Sequence, residues 1–160
     1  MHATPHAYDA IMPIPCGALG IRIEAGALAG LEFLPAGTPA QAARDPLARR
    51  TVREVEAYLS DPMHLWNLPF TASGTAFRQR VWQALRHIPP GRTRSYGDIA
   101  RELRSSPRAV GQAVGDNPLP MLIPCHRVIA ADGGLGGFNH SRTGYSLDIK
   151  RWLLGHEGVL

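Results

Sequence analysis

The chain has 160 residues, of which 44% are hydrophobic and 19% are charged, and its formal net charge is +4. This composition is typical of a globular protein and excludes a disordered or collagen-like chain. No stretch approaches the ~20 consecutive apolar residues that span a bilayer. The N-terminal residues lack the basic and apolar regions of a secretory signal, so the sequence predicts a cytoplasmic protein with reduced thiols and no membrane partner.

The charge differs between the two halves of the chain. Residues 1–74 contain 5 basic and 7 acidic residues, whereas residues 75–160 contain 12 basic and 6 acidic residues. Sixteen of the 17 basic residues are arginines, and the remaining one is Lys150. A GC-rich genome would account for the excess of arginine over lysine. The uneven distribution slightly favours a second half that binds a polyanion.

Residues 1–74 are predicted to form a small α/β domain. The apolar patterns of Leu19–Glu24 and Leu28–Leu34 are typical of strands, and the short turn between them predicts a β-hairpin. Ala7–Ile14 is a candidate third strand. From Leu47 to Leu59 apolar residues recur at helical spacing, so this segment is predicted to be a helix.

Residues 75–160, which follow a candidate boundary at Ser73-Gly74, are predicted to be mostly helical. Four helical patterns begin near Thr75, Ser95, Ser106 and Ser146. The two central helices, predicted over 96–103 and 107–115, are joined by a short turn, which is the pattern of a helix-turn-helix. Corners between helices in many unrelated domains have the same pattern.

The second helix of this pair contains several small residues, among them Ala109, Gly111 and Ala113. Glycine inside a helix costs ~1 kcal/mol relative to alanine. The helix backbone is therefore predicted to lie close to another surface. That surface is either a neighbouring helix or a narrow groove, with Arg108 at the leading end of the helix.

Cys125 lies directly beside His126 in the segment LIPCHRVI. The thiolate is the nucleophilic form of cysteine, and a neighbouring histidine can accept the proton directly or through water. A buried cysteine beside a structural histidine gives the same dipeptide, and Arg127 fits either an electrostatic role or an ion pair. No second cysteine or histidine lies at zinc-ligand spacing, so no metal is predicted here.

Three segments together resemble the O6-alkylguanine-DNA alkyltransferases, also called methylated-DNA–protein-cysteine methyltransferases. They are FRQRVWQALRHIPPGRTRSYGDIA at 77–100, RAVGQAVGDNPLPMLIPCHRVI at 108–129, and RWLLGHEG at 151–158. The resemblance covers nearly all of residues 75–160, whereas residues 1–74 match only in type. It implies an α+β fold, with a ribonuclease-H-like α/β domain over 1–74. A mostly helical, winged-helix-like domain over 75–160 would bind DNA and carry the alkyl acceptor.

The resemblance implies DNA repair by direct reversal. The alkyl group of a flipped-out O6-alkylguanine, or of O4-alkylthymine, would move irreversibly to Cys125. His126 would deprotonate Cys125 through a water, and Glu157 would orient the His126 imidazole. Asn117 would fix the turn before the acceptor, and Tyr96 would donate a hydrogen bond to the base. Each molecule would act once, as a suicide methyltransferase that needs no cofactor.

The partner that the resemblance implies is double-stranded DNA, bound in the minor groove by a monomer without sequence preference. Arg108 would fill the space left by the flipped base. The rest of the DNA-binding surface would comprise Tyr96, Ala109, Gly111, Ala113 and Arg127. The base pocket would comprise Val128, Gly136, Gly137, Phe138, Tyr145 and Ser146. The segment 139–146 looks longer than its counterpart in the family.

Three other functions are compatible with parts of the sequence. A non-enzymatic lesion binder of the alkyltransferase-like class would have the same helix and pocket but lack Cys125. A transcription regulator would need long polar side chains on its recognition helix. A thiol hydrolase with a Cys-His-Glu triad would leave the basic second half unexplained.

Cys16 has no assigned role in the sequence. Animal members of the family carry a structural zinc in the first domain. Cys16, His2 and His6 are too few and too loosely spaced to predict such a site here.

Overall fold

The computed structural model describes residues 7–137 and 145–160. The chain divides into two compact units, residues 1–72 and residues 73–160, at a point next to the Ser73-Gly74 boundary suggested by the sequence.

Unit 1 is a three-stranded antiparallel sheet with one helix. The sheet has the order β1 (Ala10–Ile14), β2 (Gly17–Glu24) and β3 (Ala27–Leu34), and the helix is α1 (Pro46–Ser60). The β2–β3 turn is tight because Ala25 and Gly26 both have positive φ, 50° and 76°. The predicted hairpin, third strand and helix are therefore confirmed.

The core of unit 1 explains this arrangement. On β2 the fully buried residues include Leu19 and Ile21, which are two apart and point to one face of the sheet. Val55 and Tyr58 of α1 are likewise fully buried. The Asp45 side chain caps α1 by accepting hydrogen bonds from the first helical N–H groups. The helical spacing thus buries one side of α1, whereas the central strand β2 is buried on both faces over residues 18–21.

Unit 2 contains four α-helices and two very short strands among the described residues. The helices are α2 (Ala76–Arg86), α3 (Tyr96–Leu103), α4 (Pro107–Gly115) and α5 (Tyr145–His156). The strands β4 (Arg94–Ser95) and β5 (Val128–Ile129) pair in parallel. A 3₁₀ turn at Cys125–Arg127 directly precedes β5.

The helix-turn-helix of α3 and α4 is fixed by local capping. Ser95 and Asp98 form a capping box at the start of α3, and Ser106 caps α4 with Pro107 in the first helical position. Arg104 ends α3 in the left-handed conformation, with φ 56°. The boundaries predicted for both helices are confirmed.

Helix α4 is held against α2 by a buried hydrogen bond. The indole Nε1 of Trp82 donates to the Ala113 carbonyl at 2.8 Å. Both residues are 2% exposed, so neither the indole N–H nor the carbonyl can bond to water, and each is satisfied by the other. None of the helices in the described ranges has the length and apolar character needed to cross a membrane.

Candidate active site and DNA-binding surface

The turn before the acceptor segment is organised by the side chain of Asn117. Its Oδ1 accepts the N–H of Leu119 at 2.9 Å, and its Nδ2 donates to the carbonyl of Ile123 at 2.8 Å. Met121 lies inside this turn with φ 77°, a left-handed conformation that is uncommon for a residue with a side chain. The Asn117 amide therefore holds a strained turn that ends at Cys125.

Cys125 starts the 3₁₀ turn and is 1% exposed. Burial raises the pKa of its thiol to about 11, because the thiolate loses its hydration. A hydrogen bond from Asn117 and the positive charge of Lys150 act in the opposite direction and lower that pKa. The resting protein thus holds Cys125 as a thiol while placing two groups beside it that favour the thiolate.

Glu157 links the neighbouring residues His126 and Arg127. Its Oε2 contacts His126 Nε2 at 2.8 Å and accepts from an Arg127 terminal nitrogen at 2.8 Å, while its Oε1 accepts from Arg127 Nε at 2.8 Å. The side chains of His126 and Glu157 are fully buried. The two-point ion pair between Arg127 and Glu157 compensates both charges inside the protein.

The contact with Glu157 determines which nitrogen of the His126 imidazole carries the proton. Because Nε2 faces an ionised carboxylate, it carries the proton, and Nδ1 is left as the basic nitrogen. Nδ1 is buried and has no hydrogen-bond partner among the described residues. Burial lowers the pKa of His126, although Glu157 opposes the shift, so the imidazole is neutral at pH 7 and can accept a proton.

The structure does not bring Arg127 to a DNA-binding surface, which corrects that expectation. Arg127 is 6% exposed, and its remaining terminal nitrogen donates to the Ile88 carbonyl at 2.6 Å. Each of its three guanidinium nitrogens therefore donates a hydrogen bond inside unit 2. Of the two roles that the sequence left open for Arg127, the structural ion pair is the one observed.

Tyr96 and two pocket glycines come together. The Tyr96 hydroxyl donates to the Gly137 carbonyl at 3.5 Å. Gly136 has φ 71°, and a Cβ placed on it would lie 3.0 Å from the Tyr96 ring, so a larger residue would not fit. Val128 is fully buried on β5.

The other predicted pocket residues are placed only in part. Phe138 and the segment 139–144 lie outside the described residues, as does the side chain of Tyr145. Ser146 is half-buried in the first turn of α5. Since α5 begins at Tyr145, Ser146 lies inside the helix and does not cap it.

Helix α4 carries small residues on two sides and an arginine at its start. Arg108 is exposed, while Ala109 and Gly111 are half-buried, and a Cβ placed on Gly111 would lie 3.8 Å from the Tyr96 ring. Ala113 is buried against α2, so the structure does not place it on the outer face, which corrects its assignment to the DNA-binding surface. One of the two explanations for the small residues, helix packing, thus applies to Ala113.

Sequence reasoning assigned no role to Lys150. The structure buries it completely and places its charge beside Cys125. Its ammonium also lies 6.0 Å from the centroid of the Tyr96 ring. The available signal was that Lys150 is the single lysine among 17 basic residues.

A family model described as 6-O-methylguanine DNA methyltransferase, DNA binding domain, matches residues 76–159. The chain belongs to the 6-O-methylguanine DNA methyltransferase family. A methylated-DNA–protein-cysteine methyltransferase of Methanosarcina acetivorans is 41% identical over 112 residues, 69% of this chain and 69% of that protein. A DNA base-flipping protein of Thermus thermophilus is 39% identical over 153 residues, 93% of this chain and 99% of that protein.

The fold agrees with this membership of the methyltransferase family. The crystal structure of Mycobacterium tuberculosis OGT in complex with DNA superposes with a TM-score of 0.77 and 36% identity, over 92% of this chain and 90% of that one. The chain thus has the α+β fold of its family. The family match spans the whole Cys125, His126 and Glu157 cluster.

The described residues contain no group of three histidine, cysteine or acidic side chains placed to hold a metal ion. His2 and His6 lie outside those residues.

Replacing Glu157 by Gln should strongly destabilise unit 2, because the buried Arg127 guanidinium would lose its counter-charge. We expect a loss of about 3 kcal/mol or more in the free energy of unfolding, measured by urea denaturation. The matched control is Asp148→Asn, which breaks the exposed Asp148–Arg151 pair and should cost less than about 1 kcal/mol. Equal effects of the two substitutions would contradict the structural importance of the buried pair.

The raised pKa of Cys125 predicts an unusual pH profile for its alkylation. Iodoacetamide reacts with the thiolate, so labelling of folded protein should rise about tenfold per pH unit from ~7 to ~10 without levelling off, because the thiol has a pKa of about 11. In denaturant the rate should level off above ~8.5. Peptide mapping separates Cys125 from Cys16.

The same shift has a consequence for stability. Between ~8.5 and the folded pKa the unfolded chain has released the thiol proton while the folded protein retains it, so the contribution of Cys125 to stability falls as the pH rises.

A labelling rate in the folded protein that levels off below pH ~8.5 would show that burial does not control the pKa of this thiol.

Proposed function

We propose that this protein repairs DNA by moving the alkyl group of O6-alkylguanine, and of O4-alkylthymine, irreversibly to Cys125. The observation that carries the proposal is the buried Cys125, which is followed in the chain by a neutral His126. Nε2 of that histidine contacts Glu157, and its Nδ1 remains as the basic nitrogen. This is the arrangement of nucleophile, base and orienting carboxylate that covalent catalysis requires. Named relatives of the family are methylated-DNA–protein-cysteine methyltransferases, which supports this chemistry.

The proposed transfer begins with proton removal from Cys125. His126 Nδ1 takes the thiol proton, directly or through one water, and Glu157 stabilises the resulting imidazolium. The thiolate then attacks the alkyl carbon in line with the O6–carbon bond. The sulfur–carbon bond forms as the carbon–oxygen bond breaks, and its electron pair leaves with the guanine.

The leaving base must receive a proton or a hydrogen bond. We assign the hydrogen bond to the Tyr96 hydroxyl, which contacts the Gly137 carbonyl at the pocket and can turn to an entering base. The imidazolium of His126 then releases the proton it took from Cys125 to solvent, and the departing guanine anion takes up one proton from solvent, so the overall transfer is balanced without a cofactor. The thioether product is stable, and each protein molecule therefore acts once.

The proposed partner is double-stranded DNA, bound through the minor groove by a monomer. The groove is only ~6 Å wide, and the small residues Ala109 and Gly111 let the backbone of α4 approach it. Arg108 is exposed at the first turn of α4, where it can occupy the space of the flipped base. Binding to phosphates by the basic second half gives little sequence preference and a strong dependence on salt.

We also propose a fold for each of the two domains and a cellular location for the protein. Residues 1–74 form the ribonuclease-H-like domain, and residues 75–160 form the winged-helix-like domain that binds DNA and carries the acceptor. The capped α3–α4 pair supports the second label. The protein works in the cytoplasm, where reducing conditions keep Cys125 a free thiol.

The direct test is the intact mass of the protein after incubation with duplex DNA that carries one O6-methylguanine. We expect an increase of one CH₂ group, located on Cys125 by peptide mapping and saturating at one per molecule. Cys125→Ser should abolish the adduct and retain lesion binding, whereas the control Cys16→Ser should react like the wild type. An adduct on any residue other than Cys125 would contradict the proposal.

A second candidate function is recognition of the lesion without transfer. It is favoured by the similarity to the Thermus thermophilus DNA base-flipping protein, which extends over 93% of this chain. Tight, lesion-selective binding without a mass increase would establish this function in place of alkyl transfer. Cys125 favours transfer, because a lesion binder needs no buried nucleophile.

Arg108→Ala should slow repair of duplex DNA while changing the reaction with free O6-alkylguanine base much less. The side chain would act on the extrusion of the base, a step that the free base does not need. We expect a loss of about tenfold on the duplex, equivalent to roughly 1.4 kcal/mol. The matched control is Arg53→Ala, an exposed arginine of unit 1, which should react like the wild type. Equal losses with both substrates would contradict this role of Arg108.

A further inference from the structure

Lys150 makes an unusual set of hydrogen bonds for a buried lysine. The residue is fully buried in α5. Its Nζ donates to the Val128 carbonyl at 2.7 Å, to the Gly137 carbonyl at 2.8 Å, and to the Leu135 carbonyl. An ammonium group has three N–H donors, so these three carbonyls use all of them.

The three carbonyls belong to two different segments. Val128 lies on β5, directly after the turn that carries Cys125 and His126. Leu135 and Gly137 lie on the loop that follows, which reaches the Tyr96 ring at Gly136. Lys150 therefore connects the acceptor segment to the loop that borders Tyr96.

We propose that Lys150 is a positioning residue that holds the 135–137 loop, as one wall of the base pocket, against the acceptor strand. This inference rests on the proposed function, since it assigns the shape of the pocket that admits the alkylated base. The Tyr96 hydroxyl lies 3.5 Å from the same Gly137 carbonyl, so Lys150 keeps that peptide in place when Tyr96 turns to the base. Without Lys150, three carbonyls would lose a charged donor, and residues 135–137 would lose the contact with Val128 that runs through its ammonium.

The choice of lysine at this position supports the proposal. The chain uses arginine at its 16 other basic positions. A guanidinium directs its donors in one plane and is larger than an ammonium, whereas these three carbonyls converge on a single nitrogen atom. Lysine is the side chain that fits this point.

A different role for Lys150 would act through its charge. The ammonium lowers the pKa of Cys125, and burial in turn lowers the pKa of Lys150 to about 8. A charge effect acts on every reaction of the thiol, including those with small reagents. A positioning effect acts only on reactions that need the base pocket, so the two roles give different results with two reagents.

The experiment compares wild type, Lys150→Met and Lys150→Arg in two reactions of Cys125. The first is transfer from duplex DNA containing O6-methylguanine, followed in a single turnover over a range of DNA concentrations to separate binding from the limiting rate. The second is labelling by iodoacetamide, which reports the access to the thiol and its thiolate fraction but needs no bound base. Thermal unfolding establishes that each variant is folded, and Arg151→Met, at the exposed neighbouring position of α5, is the matched control.

Both Lys150 variants should lose about 10- to 100-fold in the limiting rate of transfer, the range expected when reacting groups are displaced by ~1 Å. Lys150→Arg retains the charge, so its iodoacetamide labelling at Cys125 should stay within about twofold of the wild type. Lys150→Met loses the charge that lowers the pKa of Cys125, so its labelling should fall, but by less than its transfer. Arg151→Met should match the wild type in both reactions. Where Lys150→Met does not fold, Lys150→Arg decides, since it retains the charge but not the geometry.

Three results would overturn the inference. Unchanged transfer in Lys150→Met would show that the clamp is dispensable. Equal losses of transfer and of iodoacetamide labelling would assign Lys150 to charge stabilisation of the thiolate. Full activity of Lys150→Arg would show that the three-carbonyl geometry does not matter. A wild-type protein that forms no adduct would instead contradict the proposed function itself.

Discussion

The buried carboxylate of Glu157 is the constraint on which the rest of the site depends. One oxygen contacts both His126 and Arg127, and the other accepts a hydrogen bond from Arg127. Arg127 in turn reaches the carbonyl of Ile88 just beyond the end of α2, so a single carboxylate connects the C-terminal segment, the acceptor turn and α2. Because an uncompensated charge inside the protein is so costly, these groups must assemble together. The His126 imidazole, which we propose as the base, is thus oriented by the same carboxylate that pairs with Arg127 inside unit 2.

Burial has two opposing effects on Cys125, the proposed acceptor. A water-excluding pocket suits a displacement reaction, but it also raises the pKa of Cys125 and disfavours the thiolate. The structure counters this with a hydrogen bond from Asn117, the charge of Lys150 and a neutral His126 that can take the proton. A thiol protected at rest and activated when a substrate arrives is well suited to a protein that reacts once. Premature alkylation of Cys125 would consume the molecule.

The DNA-binding surface and the chemical centre divide the residues of unit 2 between them. Arg108 is exposed on α4, whereas Arg127 and Ala113, which the sequence also suggested for DNA contact, serve the interior. Ala113 is small because α4 packs on α2 at the Trp82 hydrogen bond, while Ala109 and Gly111 are half-buried. Ala109 lies one turn before Ala113 on the same side of α4, whereas Gly111 lies on the other side, towards the Tyr96 ring.

Local patterns in the sequence were sufficient for the strands of unit 1 and the capped helices α3 and α4, whereas the role of Cys125 came from the resemblance to the family. Caps, turns and apolar periodicity act over a few residues, so they are readable without the fold. The sequence resemblance also named His126, Glu157, Asn117 and Tyr96, which the structure brings into one region. Three features were not readable from the sequence: the ion pair of Arg127, the burial of Ala113 and the three carbonyls that bind Lys150. Each of them depends on contacts between residues far apart in the chain. Only the tertiary structure decides such contacts, because charge and size alone do not tell whether a side chain faces solvent or a buried partner.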